Sequence, residues 1–204
     1  MLRLLASERT HIEAAVAAAE KRTAARIAVT VAHRADDYAA YPMLAAAILA
    51  LIVGDVVALI WPALATWWIV VLQAALFIAA DLVFHLRPLR YRLVPPRVKK
   101  NHAHKLARLE FAALALDRTP GDVGLLIFLA EAERHVEILP DADIAARIAP
   151  DQWQKIVAGI VSGIAANRAA AALADAIGAC ASLLAIPFPQ TPGAPPASGT
   201  VTEI

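Results

Sequence analysis

Two aspartates one residue apart, Asp141 and Asp143, follow directly on Pro140. On extended backbone such a pair can share a hard cation. Glu137 lies close enough in sequence to add a third carboxylate, and the cofactor this chemistry implies is calcium or magnesium. Asp141 also suits the N-cap of a helix that begins after the proline, and its local sequence fits that use better. His102-x-His104, within KKNHAHK, would suit a transition metal only if extended. The stretch reads as helix, where residues two apart face different ways, so a solvated face is expected. Cys180 falls on an apolar helical stripe and is expected in the core. Ser162 and Ser182 lack a Gly-x-Ser-x-Gly context, and the chain has no GxxxxGK[ST], GxGxxG or CxxC motif. No complete catalytic set is visible.

Three further titratable groups lie in apolar surroundings. Met43 to Ile60 reads MLAAAILALIVGDVVALI, with Asp55 as its one charge. Thr66 to Leu86 reads TWWIVVLQAALFIAADLVFHL, with Asp81 and, four residues on, His85. Each run approaches the roughly 20 residues needed to cross a bilayer core of about 30 Å. The link Trp61-Pro62-Ala63-Leu64-Ala65 allows only a tight turn, and Pro62 breaks the helix. Trp61, Trp67 and Trp68 cluster at that turn, as expected at a membrane interface; Tyr38 and Tyr41 mark the other end. The pattern predicts a transmembrane helical hairpin over residues 41–88. Asp55 and Asp81 differ in depth by roughly 10 Å at 1.5 Å rise per residue, so they are not expected to pair. Asp81 is expected to meet His85 on one helix face, and Asp55 to face a partner helix in an oligomer. A proton or ion path is the alternative use of these acids.

Charge orients the hairpin. Residues 85–108 carry eight Lys/Arg and no acid, whereas residues 109–204 carry five Lys/Arg and eleven acids. Arg87, Arg90, Arg92, Arg97, Lys99 and Lys100 follow the second apolar run, and the turn is uncharged. The positive-inside rule puts both termini in the cytoplasm. The basic run can also touch anionic headgroups. Aromatic residues do not interleave with it beyond Tyr91, so nucleic acid is not an expected partner. The 204-residue chain is 60% hydrophobic with a mean hydropathy of +0.59, high for a soluble protein, although much of that is alanine. Its one cysteine excludes an intrachain disulfide and fits a reducing compartment. MLRLLASE at the start has no apolar run of signal-peptide length, so cleavage and export are not expected.

The remaining segments must position whatever chemistry exists. Residues 7–24 read as an amphipathic helix, with Ser7 or a Thr10-x-x-Glu13 capping box at its start and Ile12, Val16 and Ala19 on one face. Ile27 to Ala32 reads as a strand. Val98 to Asp117 reads as a helix, Thr119 to Asp122 as a turn, and the apolar run Val123 to Ala130 as a strand covered on both faces. Arg134 to Leu139 is a further strand, and Asp141 to Ile148 a short helix. Asp151-x-x-Gln154 caps a helix with Trp153, Ile156, Val157, Ile160, Val161 and Ile164 at core spacing. Residues 168–186 form a last helix with the stripe Leu173, Ile177, Cys180 and Leu184. The proline-rich tail, residues 187–204, is expected to be disordered. The expected organisation is an α/β domain in two parts, residues 1–40 and 89–186, divided by the hairpin.

IEAAVAAAEKRTAARIAVTVAHRADDY (residues 12–38), GLLIFLAEAERHVEILPDADIAARI (residues 124–148) and the helix from DQWQKIV to the Phe188-Pro189 end carry a resemblance. Their order and spacing, and the interruption by two apolar helices, resemble the TPM-domain family, in particular its bacterial membrane-protein branch. The resemblance covers most of residues 7–189. It implies a small α/β/α sandwich at a bacterial plasma (inner) membrane. It also implies functions ranging from assembly of membrane complexes to calcium binding and phosphatase activity. The expected function is a cytoplasm-facing interaction or assembly module, with the lipid bilayer and a protein partner or second copy as partners. The alternative is a metal-assisted phosphatase using Asp141 and Asp143. A third reading is an ion-conducting hairpin oligomer.

Overall fold

The computed structural model describes residues 6–86, 92–116, 123–190 and 200–204. In chain order the elements are α1 (Ala6–Glu20), β1 (Arg26–Ala32), α2 (Ala40–Ile60), α3 (Thr66–Phe84), α4 (Pro96–Leu116), β2 (Gly124–Ala130), β3 (His135–Pro140), α5 (Ala142–Arg147), α6 (Pro150–Ala165), α7 (Ala169–Leu184) and β4 (Val201–Glu203). They form two compact units. One runs from Asp36 to Lys99; the other combines the residues before and after it.

The discontinuous unit is mixed α/β around a four-stranded sheet ordered β3-β2-β1-β4. β1 pairs in parallel with both β2 and β4, and β2 pairs antiparallel with β3. Every residue of β2 is buried, and all of β1 after Arg26. This is why VGLLIFLA reads as apolar on both sides; β1 is equally central and covered twice, although IAVTVA reads only as a strand. Strand periodicity then sorts the side chains. Ile27, Val29, Val31, Leu125, Ile127 and Leu129 share one core with Ile12 and Val16 of α1, Trp153 and Ile160 of α6, and the stripe of α7. Ala28, Ala32, Leu126, Phe128 and Ala130 face the other way and meet Ala103 and Ala107 of α4. All four expected stripe residues of α7, Leu173, Ile177, Cys180 and Leu184, are fully buried.

Several local expectations are corrected. α1 begins at Ala6, so Ser7 and Thr10 lie inside the helix, and Glu13 pairs with Arg9 at 2.9 Å rather than closing a capping box. α6 is preceded by Ala149 with Pro150 in its first turn, so Asp151 is not its cap; proline already suits that position because it gives up an N–H that has no helical partner. Val161 is half-exposed, not core. The end of the tail is ordered. Val29 N–H donates to Thr200 O, His33 N–H to Ile204 O, and Ile204 N–H to Val31 O, at 2.8–3.0 Å. These bonds satisfy the open edge of β1, something no local composition reveals. The expected turn at Thr119–Asp122, Arg87, Arg90 and residues 191–199 lie outside the described residues.

Two junctions rest on left-handed residues. Arg134 (φ 51°) closes the β2–β3 turn, where its N–H reaches Glu131 O at 3.1 Å. Asn167 (φ 56°) ends α6 with a pair of bonds, Asn167 N–H to Ile164 O and Arg168 N–H to Gly163 O. That is the pattern by which a left-handed residue caps the last helical carbonyls, and asparagine tolerates it well.

The other unit contains α2 and α3, joined by Trp61 to Ala65, where Leu64 N–H bonds Trp61 O at 3.1 Å. α2 buries Pro42, Ala46, Ala50 and Gly54. The last three recur every four residues, a small-residue seam that lets helix backbones approach. A Cβ on Gly54 would overlap the Gln73 side chain of α3, so these two helices meet closely there. Large apolar side chains point elsewhere: Leu44, Leu51, Ile52, Leu59, Ile78 and Leu82 are all more than half exposed. Trp67 and Trp68 stack at a centroid distance of 3.8 Å and are exposed with Trp61. At the start of α2, Tyr38 and Tyr41 make an edge-to-face contact at 6.5 Å, and Tyr38 is buried.

Candidate functional site

β1, β2 and β4 are parallel, so their carboxyl ends emerge on one side of the sheet, where open α/β sheets commonly place their sites. The residues leaving those ends are polar. His33 follows β1, Glu131 follows β2, and Glu203 closes β4. His33 Nδ1 stands 3.5 Å from Glu131 Oε2, and its Nε2 stands 3.3 Å from Glu203 Oε1. Glu131 is nearly buried, and its Oε1 has no hydrogen-bond partner among the described residues. Nearby, the buried Glu133 accepts the Ala35 N–H at 3.1 Å. Each nitrogen of the imidazole thus faces a carboxylate. In this geometry His33 ties the tail to the sheet and presents neither nitrogen to a substrate.

A second polar cluster lies on β3. Glu137 accepts from His104 Nδ1 at 2.8 Å on one oxygen and from His135 Nε2 at 3.1 Å on the other. His135 and Glu137 are two apart on a strand and share a face; α4 delivers His104 to them. Burial by itself would raise the Glu137 pKa. The hydrogen bonds and positive charge of His135 and His104 outweigh it and hold the carboxyl below the usual range.

Asp141 sits at the N-cap of α5 in extended backbone, and its side chain accepts the Ala142 N–H. Asp143 lies in the first turn of that helix, where a carboxylate suits the helix dipole. Glu137 is committed to its two histidines. No group of three His, Cys, Asp or Glu among the described residues is placed to hold a metal ion. The expected Asp141–Asp143–Glu137 set is therefore not brought together. His104 is not merely on a solvated face, as its contact with Glu137 shows. Cys180 is fully buried, and burial pushes its thiol up to about 12, the state of an inert core cysteine.

In the helical hairpin, His85 Nδ1 bonds the Asp81 carbonyl at 2.9 Å and stands 3.2 Å from Asp81 Oδ1, too poorly aligned for a hydrogen bond to the carboxylate. Asp55 neighbours Gly54 in sequence but is exposed, off the α2–α3 seam. The described residues also form a shallow groove of about 530 Å³ between β3 and α6, lined mainly by Ile138, Ile148, Trp153, Val157 and Val161. It is apolar and remote in character from a phosphoryl site.

The sequence showed Glu137 and His104 but not their contact, because strand and helix are 33 positions apart. The His33 cluster was missed. Its one local signal is that His33 and Glu131 each follow an apolar strand; the parallel pairing that joins them is not local.

No family model matches the chain, and no curated protein matches it. Among solved structures, it is similar to the NMR structure of the BA42 protein from the psychrophilic bacterium Bizionia argentinensis. The match has 17% identity and a TM-score of 0.57 over 97% of this chain and 95% of that one. Identity this low carries the fold alone.

Proposed function

We propose that this chain is a membrane-anchored interaction or assembly module, with α2 and α3 as a transmembrane hairpin and a TPM-like α/β/α domain facing the cytoplasm. The observation that carries the reading is the exposure of α2 and α3. Over their most apolar windows only 17% and 6% is buried within the protein. A hairpin in the core of a soluble protein would hide those side chains. Leaving them in water would cost about 25 cal/mol for each Å² of apolar surface, and a bilayer removes that cost. The stacked tryptophans at the turn and the cations after Leu86 agree with an interface and a cytoplasmic side. The interaction reading is supported by what the α/β unit offers: an apolar groove between β3 and α6. The phosphatase alternative draws no support from Asp141 and Asp143, which serve the start of α5.

Membrane fractions of cells expressing the full chain test the anchor. The protein should stay in the pellet after alkaline carbonate washing and enter solution only with detergent. A reporter fused after Ile204 should be active in the cytoplasm. Release by carbonate would defeat the hairpin reading, and a reporter outside the cytoplasm would defeat the orientation. Turnover of a phosphate ester with Ca²⁺, Mg²⁺ or Mn²⁺ that vanishes in Asp141→Asn/Asp143→Asn would return the enzyme reading.

A further inference from the structure

Helix α4 carries a row of cations with no acid to answer them. Arg97, Lys100, Lys105 and Arg108 are all exposed, and none has an ion pair or hydrogen bond among the described residues. At about 100° per residue they fall within roughly 140° of arc and extend over about 16 Å of helix. Ala103 and Ala107, about 110° round the same helix, are fully buried against Ala28, Leu126 and Phe128. One face of α4 is thus fixed to the sheet, and the cationic face is left outward. No acid stands between residues 85 and 108 to neutralise it.

Chain connectivity limits how far such a face can lie from the end of α3. α4 starts twelve positions after Phe84, the end of α3. Extended chain covers at most about 3.5 Å per residue, so Arg97, one position further on, is tethered within roughly 45 Å of the end of the span. We propose that the Arg97–Lys100–Lys105–Arg108 face of α4 binds anionic lipid headgroups of the bilayer that α3 enters. This rests on the membrane-anchor reading and adds lipid selectivity to it. A nucleic acid would present the same charge. However, the stretch from Arg97 to Arg108 contains no Phe, Tyr or Trp on which bases could stack. The anionic bilayer is the better match.

The test uses the full chain reconstituted in nanodiscs of phosphatidylcholine alone or mixed with phosphatidylglycerol. Acetylation of Lys100 and Lys105 is followed by mass spectrometry, with the exposed Lys21 and Lys155 as internal references. One headgroup contact per lysine predicts labelling about fivefold slower in the anionic discs at low salt. High salt should abolish the difference. Chain extracted from anionic discs should also retain less phosphatidylglycerol in the Arg97→Gln/Lys100→Gln/Lys105→Gln/Arg108→Gln variant, whose helicity is checked by circular dichroism. Equal labelling in both lipids, by chain that has entered the discs, overturns the lipid site alone. Failure to enter either disc overturns the anchor and the lipid site together. Protection of these lysines by transfer RNA but not by anionic lipid assigns the stripe to nucleic acid instead.

Discussion

Three glycines lie inside α6 and α7, and they should respond to alanine with opposite signs. A Cβ on Gly163 would overlap Ala172 Cβ and come within 3.5 Å of its Cα and 3.6 Å of Arg168 O. A Cβ on Gly159 or Gly178 meets nothing within 4 Å. Alanine favours a helix interior over glycine by about 1 kcal/mol, so Gly159→Ala and Gly178→Ala should each stabilise by about 0.5–1 kcal/mol. At Gly163 the same gain is opposed by overpacking, typically about 1–3 kcal/mol. Ala172 has no rotamer with which to yield, so α6 and α7 themselves must separate. That places the cost in the upper part of the range and the net loss at about 1–2 kcal/mol. The α6–α7 connection resists such a shift, because Gly163 O accepts the Arg168 N–H that caps α6. Thermal or urea unfolding of the full chain in one neutral detergent, followed by circular dichroism, measures all three variants on one scale. If Gly163→Ala is as stabilising as the other two, the close approach of α6 and α7 is wrong.

Asp141→Ala should cost about 1 kcal/mol through the lost cap of α5, whereas Asp143→Asn should change stability little, and neither effect should depend on added calcium; a calcium-dependent melting shift in the wild type that Asp143→Asn removes would contradict this. Glu137, with its folded pKa held below the ordinary value near 4.5, contributes stability that is present above that value and lost as pH falls through the lowered one. Acid unfolding curves of wild type and Glu137→Gln should therefore be separate above the ordinary value and converge only once the pH has fallen below the lowered one; parallel curves throughout would show that the two histidines do not engage it. Cys180 should resist a thiol reagent at pH 8 in the folded chain and react on denaturation, since burial holds its thiol up to about 12. Rapid modification under native conditions would place it outside the core.

Much of this protein was legible in linear order because the relevant signals are local. A continuous apolar run marked β2 as covered on both faces, and strand-like residues marked β1. Spacings of three and four residues marked the α7 stripe, and length with low charge marked α2 and α3. Asp141 after Pro140 announced its cap. Other features depend on residues that are close only after folding. The tail was read as disordered from its prolines, yet main-chain bonds to β1 order its last residues, and those bonds carry no side-chain signature. Thr10-x-x-Glu13 had the right letters for a capping box, but the helix starts earlier, at Ala6, so both residues lie within it.

The same division holds for the polar clusters. The sequence alone determined that acids, histidines and a lone cysteine were available, and that two apolar helices interrupt the α/β unit. Tertiary structure decided their use. Parallel pairing of β1 with β2 and β4 brought His33 between two glutamates, and packing of α4 on the sheet placed His104 on Glu137. α5 uses Asp141 as its cap. The physical reason is that hydrogen bonds and ion pairs act over a few ångströms, while the groups that make them are tens of residues apart; only the strand order and helix packing fix which of them meet.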